Sequence, residues 1–184
     1  CDGIMAKWGR VDILVNGAGG NHPKASTGDA MSFFDLPTDA LQWVFNLNFV
    51  GTVMATQVFG KVMEAQKSGN VINICSMSGI RPLTKVVGYS AAKAALANFT
   101  QWMATYFNDN VSTEIRVNAI APGFIMTEMT DKLPDEVKEG WYKQIPLRRG
   151  GTPEDVAKVA LFLASDLSSY VSGQVIHCCG AMNC

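Results

Sequence analysis

The sequence predicts an α/β fold, a parallel sheet with helices laid against it. Three observations carry this. Residues 11–16, 70–74 and 113–120 are short apolar runs of the kind that buried parallel strands show. Long segments between them repeat their apolar residues at helical spacing. Turn signals rich in Gly and Pro, at Gly17-Ala18-Gly19-Gly20 and Pro122-Gly123, punctuate the strand ends.

Bulk properties bound the function. The 184 residues, 19.9 kDa, fit one domain over 1–184. Net charge −1 and a pI near 6.1 give no footprint for nucleic acid or an anionic membrane, so neither is expected as a partner. No apolar run reaches the roughly 18 residues of a transmembrane helix, and no signal peptide is read at the start. The five cysteines, Cys1, Cys75, Cys178, Cys179 and Cys184, include no Cys-x-x-Cys pair. With only His22 and His177 beside them, no metal site is expected, and a reduced cytoplasmic protein is the default. The chain begins Cys-Asp-Gly and reads as an excerpt of a longer reading frame.

In order, residues 4–9 read as the tail of a helix ended by Gly9, and strand 11–16 ends in Asn16-Gly17-Ala18-Gly19-Gly20. Those glycines let a backbone approach a ligand closely; a plain glycine-rich turn reads the same way. Residues 21–37 form a polar loop in which His22-Pro23-Lys24 either reach toward substrate or are simply solvated. Thr38 is placed as an N-cap with Asp39 in the first turn of a helix to about 66, and Asn48 is its polar interruption. After a turn at Ser68-Gly69-Asn70, a strand delivers Ser76 to its end. A loop broken by Gly79, Pro82 and Gly88 leads to an alanine-rich helix over about 90–107. Strand 113–120 stops at Pro122-Gly123, residues 128–149 are charged and Pro-punctuated, and Thr152-Pro153-Glu154-Asp155 starts a helix to about 164. Residues 172–176 are the last strand.

The chemistry concentrates between Ser76 and Lys93. Tyr89 and Lys93 are four apart and share one helical face. A free phenol, with a pKa of about 10, is a poor base at neutral pH, and a neighbouring ammonium lowers it. The pair therefore makes a general acid/base, and Ser76, thirteen residues upstream of Tyr89, is placed to hold a substrate oxygen against it. Alone, an exposed tyrosine and a solvated lysine share this spacing.

The company of these residues changes the reading. Asn48-Phe49-Val50-Gly51, Ser76, Tyr89-Ser90-Ala91-Ala92-Lys93 and Arg116-Val117-Asn118-Ala119-Ile120-Ala121-Pro122-Gly123 follow in order from strand 11–16. Together they resemble the short-chain dehydrogenase/reductase family from Val11 to about Gln174. The resemblance implies a Rossmann-like doubly wound sheet, NAD or NADP as cofactor, and an alcohol or ketone substrate. It implies a catalytic set of Asn48, Ser76, Tyr89 and Lys93, with Lys93 also on the cofactor ribose and Asn48 holding a relay water. Asn16, Gly17, Ala18 and Gly19 match the family's Asn-Asn-Ala-Gly, with Gly17 a departure; the Asn steadies the sheet and its neighbours line the adenosine-ribose side. Tyr89, Lys93, Pro122, Gly123, Ile125 and Thr127 complete the implied cofactor contacts. Residues 128–149 match a segment covering the substrate, and the Asn48 and Tyr89 helices match the interface of a homodimer or homotetramer. The run from Gly19 to Ala25 resembles reductases of sugar acids, such as D-mannonate oxidoreductases. Beyond Ile176 the family's usual ending is replaced by His177-Cys178-Cys179-Gly180-Ala181-Met182-Asn183-Cys184.

The family's glycine-rich pyrophosphate turn has no counterpart here, so the fold is expected to lack its N-terminal βαβ half. Strand 11–16 is then an exposed apolar edge. Two functions fit: the catalytic portion of a short-chain oxidoreductase, or an inactive fragment persisting as a folded interaction module.

Overall fold

The structure, a computed structural model, describes residues 1–81, 83 and 85–182. Pro82, expected to break the loop after Ser76, and Cys184 lie outside the described residues.

Among the described residues, four strands pair in chain order, all parallel: β1 (Ile13–Asn16), β2 (Gly69–Ile74), β3 (Ile115–Pro122) and β4 (Val175–Cys178). The expected α/β parallel architecture is therefore observed. Parallel strands need crossovers, and helices supply them. After α1 (Asp2–Trp8), closed by Gly9 in the left-handed region, come α2 (Thr38–Phe45), α3 (Gly51–Gln66) and α4 (Val87–Asn110). Two helices, α5 (Glu128–Asp131) and α6 (Asp135–Gln144), occupy the charged segment, and α7 (Pro153–Ala164) precedes β4.

Side-chain alternation in the strands sorts the core into two layers. Val71, Ile115 and Val117 point to one face and pack with Met63 of α3 and Met103, Ala104 and Phe107 of α4. Ile72 and Ile120 point to the other and pack with Leu163 of α7. Burial on both faces is why these strands read as near-continuous apolar runs. On β1 only Leu14 joins the first layer, while Ile13 and Val15 stay 44% and 52% exposed. The bare apolar surface expected there is thus the face away from α3.

Three local expectations need correction. Thr38 is the first residue of α2 and not its cap; Pro37 holds the cap position and no side chain caps there. Helix α4 begins at Val87, three residues ahead of the expected Ser90, so Tyr89 lies in its first turn. The helix through Asn48 is not uniform: Asn46–Val50 forms a wider π-turn joining α2 to α3. By contrast, Thr152 caps α7 as its sequence indicates, in a reciprocal box with Asp155 and with Pro153 in the first turn.

Candidate active site

The carboxyl ends of parallel strands face one side of such a sheet, and loops leaving them form the natural crevice. Ser76 leaves β2 there as the N-cap of a one-turn helix, Met77–Gly79. That turn lies against α4: a Cβ on Gly79 would sit 2.7 Å from the Lys93 carbonyl carbon. Close approach at this glycine brings Ser76 to the helix carrying Tyr89 and Lys93. Tyr89 packs against Ala25, Ala40 and Val44, which hold the ring between the polar loop and α2.

Lys93 is 4% exposed, and its Nζ donates to the Ile74 carbonyl at 2.7 Å. The same Nζ stands 5.6 Å from the centroid of the Tyr89 ring. Burial pushes the ammonium below its usual value, opposed by the nearby Cys75 thiol. Cys75, packed behind, bonds through Sγ to the Lys93 carbonyl at 3.1 Å, and burial raises its thiol.

The expected lowering of the Tyr89 phenol by Lys93 is not what this geometry gives. Burial raises the phenol above its usual 10, and the one opposing contact is a hydrogen bond with Ser76. Lys93 donates to the Ile74 carbonyl instead, and desolvation is the leading influence on the phenol.

Asn48, fully buried in the π-turn, donates through Nδ2 to the carbonyls of Gly20 at 2.6 Å and Val44 at 2.8 Å, and accepts from the Gly20 N–H at 3.0 Å. It thus pins the loop after β1. Gly19 in that loop sits between Asn48 and Lys93: a Cβ there would fall 2.7 Å from Asn48 Oδ1 and 3.2 Å from Lys93 Nζ. A π-turn carrying a buried polar residue is a frequent mark of a functional site.

The remaining expected site residues fall into two groups. Asn16 is buried, donating through Nδ2 to Asn73 Oδ1 at 2.8 Å and Thr56 Oγ1 at 3.2 Å, so its side chain binds β1 to β2 and α3. Gly17, Ala18 and Gly19 follow on the crevice side of β1. Pro122 ends β3, and Gly123 donates its N–H to the Cys178 carbonyl at 2.9 Å. Ile125 bridges to Gly151, and its carbonyl accepts from Thr130 Oγ1 at 2.9 Å. The Thr127 hydroxyl caps α5 by accepting from the Thr130 N–H. In the polar loop, His22 Nδ1 accepts from the Lys24 N–H at 3.1 Å, and its ring meets Trp43 edge-on at 5.3 Å.

Sequence reasoning missed Asn73, Thr100 and Ser78. Asn73 Nδ2 donates to Thr100 Oγ1 at 2.9 Å, extending the Asn16 contact from β1 through β2 to α4. The readable signal was one asparagine inside the apolar run Val71-Ile72-Asn73-Ile74. Ser78 donates to Ser76 through both its N–H and its hydroxyl, a contact hinted at only by the Ser-x-Ser spacing. A groove of about 870 Å³ opens beside Ser78 and Gly79, but neither Ser76 nor Tyr89 lines it.

A sequence model of the family described as Enoyl-(Acyl carrier protein) reductase matches residues 1–183. An uncharacterized oxidoreductase of Haemophilus influenzae is 40% identical over 191 residues, covering 94% of this chain and 66% of that one. A short-chain type dehydrogenase/reductase from Mycobacterium marinum superposes with TM-score 0.87 at 31% identity, covering 100% of this chain and 69% of its own. The chain belongs to the short-chain dehydrogenase/reductase family. Another short-chain fold, a candidate D-mannonate oxidoreductase from Haemophilus solved with bound NAD, superposes with TM-score 0.88 at 38% identity over 98% of this chain and 70% of that one. The short-chain family match runs past Ile176, where the recognisable motifs were expected to stop. The chain spans about two thirds of the length of the curated relatives it matches. No helix among the described residues is long and apolar enough to cross a membrane.

Proposed function

We propose that this chain carries the catalytic machinery of an NAD(P)-dependent short-chain oxidoreductase that interconverts an alcohol and a ketone. The observation behind the reading is the meeting of Ser76, Tyr89 and Lys93 at the carboxyl end of β2, with Asn48 pinning the loop that closes on Lys93.

The residues present fit a dinucleotide at this crevice. The lack of a side chain at Gly19 lets the loop backbone press against Asn48 and Lys93, and the ends of the parallel strands β1 to β4 lie on that side. In this reading Tyr89 and Lys93 hold the ribose next to the nicotinamide. The Ile125 backbone, Thr127, Pro122 and Gly123 would hold the nicotinamide end, and Gly17, Ala18 and Gly19 the adenosine side. When bound there, a nicotinamide would supply the hydride acceptor for oxidation and the hydride donor for reduction. Tyr89 Oη removes the alcohol proton as that carbon becomes a carbonyl, and returns it in the reverse direction. Ser76 fixes the substrate oxygen against Tyr89, and Lys93 supplies positive charge beneath the phenol.

We read the substrate as a sugar acid, with NAD as cofactor. The run from Gly19 to Ala25 and the NAD-bound D-mannonate oxidoreductase candidate support this. We place the protein in the cytoplasm as a homodimer or homotetramer. Support for the assembly comes from α3 and α4, where Met54, Val58 and the stacked Trp102–Tyr106 pair lie exposed.

Changing Tyr89 to Phe in the full-length protein tests the reading. Turnover should fall by about 10²–10⁴-fold while NADH binding, followed by fluorescence, persists. Turnover within a few-fold of the parent would refute it.

A further inference from the structure

A serine hydroxyl has one hydrogen to donate and two lone pairs to accept with. At Ser76 both acceptor positions are taken by the same residue. The Ser78 N–H donates to Ser76 Oγ at 3.2 Å, and the Ser78 hydroxyl donates to it at 3.0 Å. The first contact is the ordinary capping bond of a one-turn helix. The second is extra, and it comes from a side chain only 2% exposed, with water excluded as a competitor. Ser76 is then left with a single free function, its own O–H.

We propose that Ser78 is a positioning residue that fixes the polarity of Ser76, making its one O–H an obligate hydrogen-bond donor, given to Tyr89 in the free site and to the substrate oxygen once substrate is bound. This rests on the oxidoreductase reading above for its catalytic consequence but not for its geometry. A donating Ser76 stabilises the charge that develops on the substrate oxygen as the hydride moves. Before substrate binds, the same O–H stabilises the Tyr89 phenolate, and this contact from Ser76 opposes the rise burial imposes on that phenol. A Ser76 free to accept would instead favour the protonated phenol and weaken the base in the oxidation direction. Gly79 completes the arrangement, because the turn holding both serines is pressed on the backbone of Lys93 and Ala94.

The test uses S78A and S78T in the full-length protein. Ala keeps the backbone donor and removes the hydroxyl; Thr keeps both. For S78A we expect kcat to fall about tenfold, the worth of one hydrogen bond, with KM little changed. The rise of alcohol-oxidation rate with pH should move to higher pH, and S78T should restore both rate and profile. A slower S78A with an unmoved pH profile would make Ser78 merely structural and overturn the proposal; so would an unchanged rate. A second measurement separates this from failure of the oxidoreductase reading. Titration of Tyr89 by NMR of ring-labelled tyrosine, with the Y89F spectrum assigning the signal, reports the phenol without turnover. A phenol pKa higher in S78A than in the parent supports the polarity lock even if Y89F proved active, and an unchanged one overturns it even if Y89F were dead.

Discussion

Lys93 on α4 donates its ammonium to the Ile74 carbonyl at the end of β2, across 2.7 Å. This ties the helix of the acid/base to the strand that delivers Ser76. Burial holds the amine below its usual 10.5, so the native state binds fewer protons than the unfolded chain between the two values. The Lys93 contribution to stability therefore rises with pH over that alkaline interval, against the falling contributions of buried Cys75 and Tyr89, and the cost of burying the charge is fully present below it. Lys93→Met removes that cost and loses one hydrogen bond worth about 0.5–1.5 kcal/mol. The unfolding temperature should accordingly shift by only a few degrees, about 2–4 °C per kcal/mol at this size. Turnover should collapse, and with the Lys93 contribution gone the variant should lose stability more steeply than the parent as pH rises. Calorimetry across pH 7–10.5 beside a turnover assay measures all three.

The direction of the Tyr89 shift predicts a pH profile. With the phenol held above its usual 10 by burial, oxidation, which uses the phenolate, should keep accelerating into the alkaline range. Reduction, which uses the phenol as acid, should be flat through neutral pH. Rates measured in both directions over pH 6–10 check this. An oxidation rate that levels off below neutrality would mean that bound cofactor or substrate reverses the balance described for burial, Ser76 and Lys93.

Gly79 sets the spacing between the Ser76 turn and α4. A Cβ there would meet Lys93 carbonyl carbon at 2.7 Å and oxygen at 2.8 Å, both backbone atoms of a helix that cannot yield cheaply. Gly79→Ala should cost about 1–3 kcal/mol by overpacking. Because the displacement separates Ser76 from Tyr89, kcat should fall by more than the stability loss alone explains at temperatures where the protein stays folded. Thermal unfolding and single-temperature kinetics on one preparation decide.

The sheet was legible because its strands are buried on both faces, so Val71-Ile72 and Val117 to Ala121 stand out as apolar runs. Tyr89 and Lys93 were legible because helical spacing alone puts them on one face. What the sequence did not show were effects of packing depth. The sign of the Tyr89 shift depends on Ala25, Ala40 and Val44 closing around the ring, and residues 25 and 89 are joined only by the fold. The π-turn at Asn46–Val50 is a five-residue interruption of a long helical segment, too short for periodicity to register. Asn16 was noticed, but its partners Thr56 and Asn73 lie 40 and 57 residues away, and no spacing rule links them.

That contact is part of a buried chain of hydrogen bonds that crosses the sheet. Asn16 on β1 donates to Asn73, its register partner on β2; Asn73 donates to Thr100 on α4; Thr100 donates to the Leu96 carbonyl at 2.9 Å. Asn73 and Thr100 are fully buried, so no water can replace a lost partner. Asn73→Ala removes the central link, leaving Thr100 with one bond and depriving Asn16 of one acceptor while Thr56 remains. The expected cost is about 1–3 kcal/mol for the stranded groups, in addition to the small cavity. Asn73→Asp should be worse, because a carboxylate keeps the Asn16 donor but cannot donate to Thr100 and is buried without a cation. Denaturant unfolding should rank the parent above Ala and Ala above Asp at neutral pH, with the Asp variant recovering as acid protonates it. Ala and Asp variants as stable as the parent would mean the chain contributes nothing to holding β1 and α4 onto β2.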